Sequence, residues 1–136
     1  MPLLADKTIT VRNLRYDPET DTETETATRL EGCSVHARTV ANATADGLAA
    51  ASIAQIRIFA GHTLAATQIA AKTPVPAEGK FIVPAAWAAQ SAAAAADTWT
   101  LRPGDHIEYQ GQRMTILAVH DNRGARRNPH WYVEAH

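Results

Sequence analysis

The sequence WTLRPGDHIEYQGQRMTILAVH, residues 99–120, predicts a tight β-hairpin. Ile107 and Tyr109 alternate with polar neighbours, which is the pattern of a strand with one buried face. Gly111 supplies the turn, because glycine tolerates a positive φ. Residues 112–119 then return through residue types that favour strands.

The returning strand is apolar on both faces, with Thr115, Leu117 and Val119 opposite Met114, Ile116 and Ala118. A strand, a short glycine turn and a strand that is apolar on both faces suggest a small closed barrel, in which closure leaves no edge unpaired. We therefore predict a mainly β fold: a small antiparallel β-barrel with long loops and one short alanine-rich helix. Residues 98–135 hold the hairpin and a closing strand at 131–134.

Composition favours one soluble domain spanning residues 1–136. Hydrophobic residues make up 46% and charged residues 20%, and a net charge of −1 argues against bulk attraction to nucleic acid or an anionic membrane. The single Cys33 excludes an internal disulfide and indicates a reducing site of synthesis. The start, MPLLADKTITV, lacks the pattern of a signal peptide, and no apolar run reaches the roughly 18 residues of a membrane span.

Three further strands are predicted upstream of the hairpin. Residues 7–16 form the first, and residues 29–42 and 48–59 pair as a long antiparallel hairpin around the turn signal Asp46-Gly47. A helix over residues 43–55 competes with the third strand, since alanine is the best helix former. Within the second strand Gly32 marks a possible bulge, and Cys33 is expected to face the core.

Residues 17–27 are predicted to be an acidic mobile loop. The segment begins DPETDTETET and holds five acids and no cation: Asp17, Glu19, Asp21, Glu23 and Glu25. Self-repulsion and the lack of apolar anchors favour a solvated, mobile segment. The alternating threonines leave an extended hairpin tip as the alternative, because threonine favours strands.

Residues 72–97 are predicted to be a proline linker followed by one short helix. Pro74 and Pro76 disfavour helix and favour an extended chain. Pro84 suits the first turn of a helix that runs to about Ala96, with Trp87 as its one large anchor. Residues 64–71 fit either a strand or a connector.

No motif for catalysis or metal binding is present. The sequence lacks HExxH, paired Cys/His spacing, GxSxG and phosphate-loop glycines. His106, His120, Asp121 and His130 are the candidates for a metal site, but they fall on different predicted strands, so we expect ordinary hydrogen-bonding histidines. The expectation is a protein that is not an enzyme and has no cofactor.

Three arginines, Arg123, Arg126 and Arg127, fall on the loop before the closing strand. Guanidinium groups match phosphate oxygens, but they also pair with the acids of a neighbouring subunit. The acidic residues at 17–25 favour the second interpretation, because complementary loops on one domain suit head-to-tail self-association. In a ring, an acidic loop turned towards the lumen would repel DNA and let it slide. The acidic and basic loops are therefore the candidate subunit-interface or DNA-channel residues.

The C-terminal third contains an ordered series of residues: Trp99-Thr100-Leu101, Pro103-Gly104-Asp105, Ile107, Tyr109-Gln110-Gly111, Ile116, Val119, Asp121-Asn122 and Pro129-His130-Trp131-Tyr132-Val133-Glu134. In these residues the chain resembles the minor capsid and head-closure (stopper) proteins of tailed bacteriophages. The N-terminal strand followed by a long polar segment is also similar to that family, whereas residues 61–97 match no motif.

This resemblance implies a structural protein of the virion neck, made in the host cytoplasm. Such a protein would form a ring of identical subunits, a hexamer or a dodecamer, that joins the portal or adaptor to the tail. Packaged DNA would pass through the lumen without its sequence being read, and no catalytic residue or membrane partner is implied. Adaptor and tail-terminator roles are the nearest alternatives.

A small SH3-like or OB-like nucleic-acid-binding barrel is the alternative from another class. Such modules expose aromatic side chains on a basic sheet face, where bases stack. Aromatic residues are only 6% of this chain and its charge is near neutral, so this alternative ranks second.

Overall fold

The computed structural model describes residues 6–44, 47–68 and 73–136. The fold is mainly β, with eight strands and three short helices in the described residues. The strands are β1 (Lys7–Asp17), β2 (Thr22–Thr44), β3 (Gly47–Phe59), β4 (Leu64–Thr67), β5 (Val75–Pro76), β6 (His106–Tyr109), β7 (Gln112–Asn122) and β8 (His130–Ala135). The helices are α1 (Ala77–Lys80), α2 (Pro84–Ala88) and α3 (Ala92–Ala96).

Six of the strands close into an antiparallel barrel. The order is β1-β6-β7-β8-β3-β2, and β2 pairs again with β1 to complete the ring. β4 pairs with β2 and β5 with β4, so these two short strands extend the sheet outside the ring. The predicted small antiparallel barrel is confirmed.

The barrel interior is filled by inward-facing aliphatic side chains and by aromatic rings. Trp99 and Trp131 are fully buried, and their ring centroids are 5.2 Å apart at 72°. Phe81 packs on both, at 5.0 Å from Trp99 and 4.7 Å from Trp131. Edge-to-face contacts of this kind add about 0.5–1.5 kcal/mol beyond area burial. Aliphatic residues at 1% exposure or less complete the core: Ile9, Val11, Leu30, Ile56, Ile58, Ile107, Ile116 and Val133.

The β6–β7 hairpin has the two-residue turn that its sequence predicts. Tyr109 pairs with Gln112, and the two turn residues have positive φ, 52° at Gln110 and 78° at Gly111. Two successive positive φ values are typical of a type I′ turn, whose twist matches that of the flanking strands. The hairpin starts only at His106, however, because Trp99 lies apart from it in a parallel bridge with Phe81.

β7 is apolar on both faces, but its apolar side chains are not all buried. The pairing register of β7 with β8 shifts between Ile116 and Ala118, which is the mark of a bulge. In a regular strand, residues three positions apart point to opposite faces. The extra residue of the bulge lets Ile116 and Val119 both pack on the core. Leu117 is left 49% exposed.

Gly32 forms the bulge that was predicted in β2. Lys7 pairs with Cys33 and Thr8 with Glu31, so Gly32 has no partner on β1, and its φ is +93°. A positive φ is costly for residues with a Cβ, which explains glycine at this position. The kink turns Cys33 into the core, where it is fully buried, as predicted.

Cys33 is expected to be unreactive in the folded protein. Burial raises the pKa of its thiol to about 12, and a hydrogen bond with Thr63 only partly opposes the shift. Because the thiolate is the reactive form, a maleimide or disulfide reagent at pH 7–8 should not label the native protein within hours. Mass spectrometry should detect one label per chain after unfolding in urea, and rapid labelling of the native protein would contradict this burial.

Residues 17–27 are a hairpin and not the predicted mobile loop. β1 ends at Asp17 and β2 begins at Thr22, so only residues 18–21 lie in the turn. Pairing continues to the tip, with Tyr16 opposite Glu23 and Asp17 opposite Thr22. The hairpin alternative is confirmed, because cross-strand pairing supplies the anchors that the acidic composition lacks.

The single helix predicted for residues 84–96 is two helices. Pro84 begins α2 and Trp87 is its buried anchor, both as predicted. The helix ends at Ala88, and Ser91 caps α3 by accepting a hydrogen bond from the Ala94 amide at 3.2 Å. Serine at such a position favours a cap over a helix interior, which explains the break. The predicted proline linker contains the two-residue strand β5.

The long β2–β3 hairpin continues past the barrel as a two-stranded ribbon. β3 pairs with β8 only from Ala54 to Phe59. The seven pairs from Arg38–Ile53 to Thr44–Gly47, here called the ribbon, have no third strand among the described residues. The strand prediction for residues 48–59 is confirmed over the competing helix, whereas Asp46 of the predicted turn lies outside the described residues.

None of the helices in the described parts of the chain has the length and apolar character needed to cross a membrane.

Candidate functional site

The acidic turn (residues 17–23) is held in shape by its own side chains. Asp17 accepts a hydrogen bond from the Glu19 amide at 2.9 Å. The hydroxyl of Tyr16 donates to Asp21 at 2.5 Å, and this bond raises the pKa of Tyr16. Asp21 itself has a φ of 52°, which aspartate tolerates better than most residues. Glu19, Asp21 and Glu23 are exposed and can contact a partner, whereas Asp17 is half-buried.

Glu25 differs from the other acids because it bridges strands of the barrel wall. It accepts hydrogen bonds from Arg12 of β1 at 2.9 Å and from Arg113 of β7 at 2.5 Å. Arg12 also donates to Glu108 of β6 at 2.7 Å. Partial burial disfavours the charge of Glu25, but the bonds from Arg113 and Arg12 outweigh this and lower its pKa. Glu25 is therefore held by two arginines of the barrel wall, whereas the other acids of the segment have no arginine partner among the described residues.

The arginine loop (residues 123–129) contains one engaged arginine and two exposed ones. Arg123 donates from two nitrogens to Asp121, with distances of 2.7–3.1 Å, and its guanidinium lies 4.9 Å from the rings of Phe81 and of Trp131. The hydrogen bond from Arg123 lowers the pKa of Asp121. Arg126 and Arg127 are exposed, and neither forms an ion pair with any described residue.

The acidic turn and the arginine loop open at the same end of the barrel. β1 and β7 are each antiparallel to β6, so both strands end on the same side. The two features lie on different walls, because β6 separates β1 from β7 and β3 separates β2 from β8. No ion pair joins them within the described part of the chain. The predicted complementary loops are thus present but are not partners within one chain.

A row of stacked side chains crosses the wall below the arginine loop. Tyr132 of β8 pairs with Arg57 of β3 on one side and with His120 of β7 on the other. The Arg57 guanidinium lies 5.2 Å from the Tyr132 ring, and the His120 ring lies 5.9 Å from it. Sequence reasoning missed this row, because it depends on the register of three strands.

A groove lies at the opposite end of the barrel, where the ribbon leaves it. Its volume is about 650 Å³, and eight residues line it. Val35, Ala37 and Ala54 come from β2 and β3, and Tyr109 and Met114 come from β6 and β7. The lining contains no aspartate, glutamate, lysine or arginine. We call this feature the basal groove.

No group of three or more histidine, cysteine, aspartate or glutamate side chains is placed to hold a metal ion, as far as the structure describes the chain. His120 stacks on Tyr132, and His130 lies within 2.7 Å of the Asn128 carbonyl oxygen. His106 lies 3.4 Å from the Thr115 hydroxyl. The candidate metal residues therefore have separate neighbours.

Comparison with protein-family models gives one match, which covers residues 4–136 and is described as a family of unknown function (DUF6751). The chain belongs to this family. No curated protein and no solved structure matches the chain. The match covers the barrel, the ribbon and both charged surfaces, so all of them lie within the family's domain.

Proposed function

We propose that this member of the family is a structural, non-enzymatic subunit of a phage head–tail connector. In this proposal it is a ring component like the head-closure (stopper) proteins, found in the virion neck between the portal or adaptor and the tail. Identical subunits would surround the channel for packaged DNA. The resemblance of residues 99–134 to that class and the small closed barrel support the proposal.

The observation that carries the proposal is the ribbon. Its seven pairs have no third strand in the described structure, so both of its edges present unpaired N–H and C=O groups. Two-stranded hairpins are marginally stable alone in water, and exposed edges usually carry charges or prolines. The fourteen ribbon residues include no proline and one charge, at Arg38. A ribbon of this composition is typical of a surface that another protein chain covers.

The two charged surfaces favour subunits that stand side by side. The acidic turn and the arginine loop share one end of the barrel but lie on different walls. When copies are arranged around an axis, the acidic wall of one copy can face the arginine loop of the next. Charge complementarity of this kind sets register and orientation more than affinity.

Light scattering tests the proposal directly. The mass of the purified protein would be measured alone and after mixing with the portal, adaptor and tail proteins of its proposed virion. We expect a ring, or a monomer that enters a ring only with those proteins. A monomer that ignores them and binds oligonucleotides would overturn the proposal.

The nucleic-acid-binding barrel is the second candidate, and the Arg57–Tyr132–His120 row favours it. An aromatic ring between cationic or polar neighbours on a sheet face is the arrangement on which bases stack. Salt dependence separates the two candidates, because a nucleic-acid binder loses affinity steeply as salt rises. The connector subunit should show no tight binding of oligonucleotides at any salt concentration.

A further inference from the structure

We propose that the ribbon of one copy docks in the basal groove of the next copy. This inference rests on the proposed ring and names the contact that would build it. The occupant is therefore a second copy of this chain, contributing residues 38–44 and 47–53.

The ribbon is long enough to leave its own barrel. Strands rise about 3.3 Å per residue, so seven pairs extend about 23 Å beyond the barrel wall. The basal groove lies at the foot of the ribbon, where Ala37 pairs with Ala54. The remaining pairs lie beyond Ala37 and Ala54 along the hairpin, so a neighbouring copy is a surface that they can reach.

Groove and ribbon match in polarity. The groove lining contains no aspartate, glutamate, lysine or arginine, and the fourteen described ribbon residues carry one charge, so docking desolvates few ions. Gln110 and Gln112 also line the groove. Their amides can both donate to and accept from the unpaired backbone edge of a strand.

Size and symmetry favour a ring over a closed pair. Fourteen ribbon residues and eight lining residues make 22, against about 40–60 residues on the two sides of a stable interface. The contact therefore needs a second one, which the acidic turn and the arginine loop can supply. Because ribbon and groove are different surfaces, a copy can donate its ribbon to one neighbour and accept the ribbon of another, and such head-to-tail contacts form a ring where the rotation between copies closes.

Blocking the groove is the first test. Ala37 is exposed and lines the groove, so Ala37→Trp should fill it without disturbing the core. Ala88→Trp is the matched control, since Ala88 is an exposed alanine of α2 outside the groove. We expect Ala37→Trp to weaken ring assembly about tenfold or more, as measured by light scattering, while both variants keep the melting temperature of the wild-type monomer.

Cysteine cross-linking is the second test. Ala37 and Ala49 are separated by five pairs along the ribbon, about 16 Å, so a disulfide between Ala37→Cys and Ala49→Cys cannot form within one copy. Oxidation of the double variant under assembly conditions should give covalent multimers up to the ring size. Mixing the two single variants should give only dimers.

The outcomes separate this inference from the proposed function. A ring that forms equally well with Ala37→Trp, and that gives no cross-linked multimers, overturns the docking and leaves the connector proposal standing. Equal loss of assembly in Ala37→Trp and Ala88→Trp also overturns the docking. A protein that stays monomeric with all of the portal, adaptor and tail proteins overturns both.

Discussion

Replacing Trp131 with alanine is expected to lower the free energy of unfolding by about 3–5 kcal/mol. The side chain is fully buried, and its ring lies 4.7 Å from Phe81 and 5.2 Å from Trp99. Arg123 also stacks on it at 4.9 Å. Truncation therefore opens a cavity at the point where β8, the segment before β6 and the arginine loop meet. Urea denaturation followed by circular dichroism measures the change.

Leu117→Ala is the matched control for this prediction. Leu117 lies on the neighbouring strand β7 but is 49% exposed, because the bulge turns it outward. Its truncation should change stability by no more than about 0.5 kcal/mol. A loss below about 1 kcal/mol in Trp131→Ala, or equal losses in the two variants, would be inconsistent with a core centred on the tryptophan pair.

Asp105→Ala is expected to lower the free energy of unfolding by about 3 kcal/mol. The carboxylate is 4% exposed and accepts hydrogen bonds from Arg102 at 2.9 Å and 3.1 Å and from Asn13 at 2.9 Å. It also accepts from the Leu14 amide at 3.3 Å. Removal leaves these donors without their acceptor. The expected loss of stability is at the low end of the range for removing one partner of a buried ion pair, because the Arg102 side chain is 24% exposed and can reach water.

Two companion variants sharpen the measurement. Asp105→Asn keeps an acceptor oxygen but removes the charge, so its loss should fall between those of the wild type and Asp105→Ala. Glu19→Ala removes an exposed acid of the acidic turn and should change stability by no more than about 0.5 kcal/mol. Equal stability of Asp105→Ala and Glu19→Ala, in the same urea series, would refute a structural role for the Asp105 network.

Local signals in the sequence were enough to predict most of the strands. The Gln110-Gly111 turn has its own backbone preference, and the alternation of Ile9 and Val11 with polar residues marks a buried face without knowledge of the partner strand. The bulge at Gly32 was also predictable from a local signal, because a glycine inside a strand often marks a bulge or a tight bend of the backbone. Closure of the barrel was predicted because the returning strand of the hairpin is apolar on both faces and a closed sheet leaves no edge unpaired.

The errors arose where distant residues decide the structure. The acidic segment was predicted to be mobile because its composition repels itself, whereas pairing with β1 and the bonds of Glu25 to Arg12 and Arg113 order it. The β7 bulge depends on its register with β8, so alternation within β7 misplaces Leu117.

Sequence analysis identified the charged residues of the candidate site, but not which of their side chains are free to contact a partner. Sequence analysis grouped Arg123 with Arg126 and Arg127, whereas Asp121 and two aromatic rings hold Arg123 in the folded chain. Glu25 was likewise grouped with the exposed acids, although two arginines bind it. Whether a charged side chain is free to bind a partner depends on its cross-strand neighbours, which a single sequence does not reveal.

Closure through β1 has a consequence for how the protein folds. β1 pairs with β2 nearby in sequence but also with β6, where Thr10 lies opposite Glu108, far along the chain. Pairing across such a sequence separation incurs a large loop-closure entropy, so folds of this kind reach the native state in milliseconds to seconds. The β1–β2 and β2–β3 hairpins can form as soon as they leave the ribosome. The tryptophan-lined interior stays open until β6, β7 and β8 have been synthesised, and the nascent chain must remain unaggregated until then.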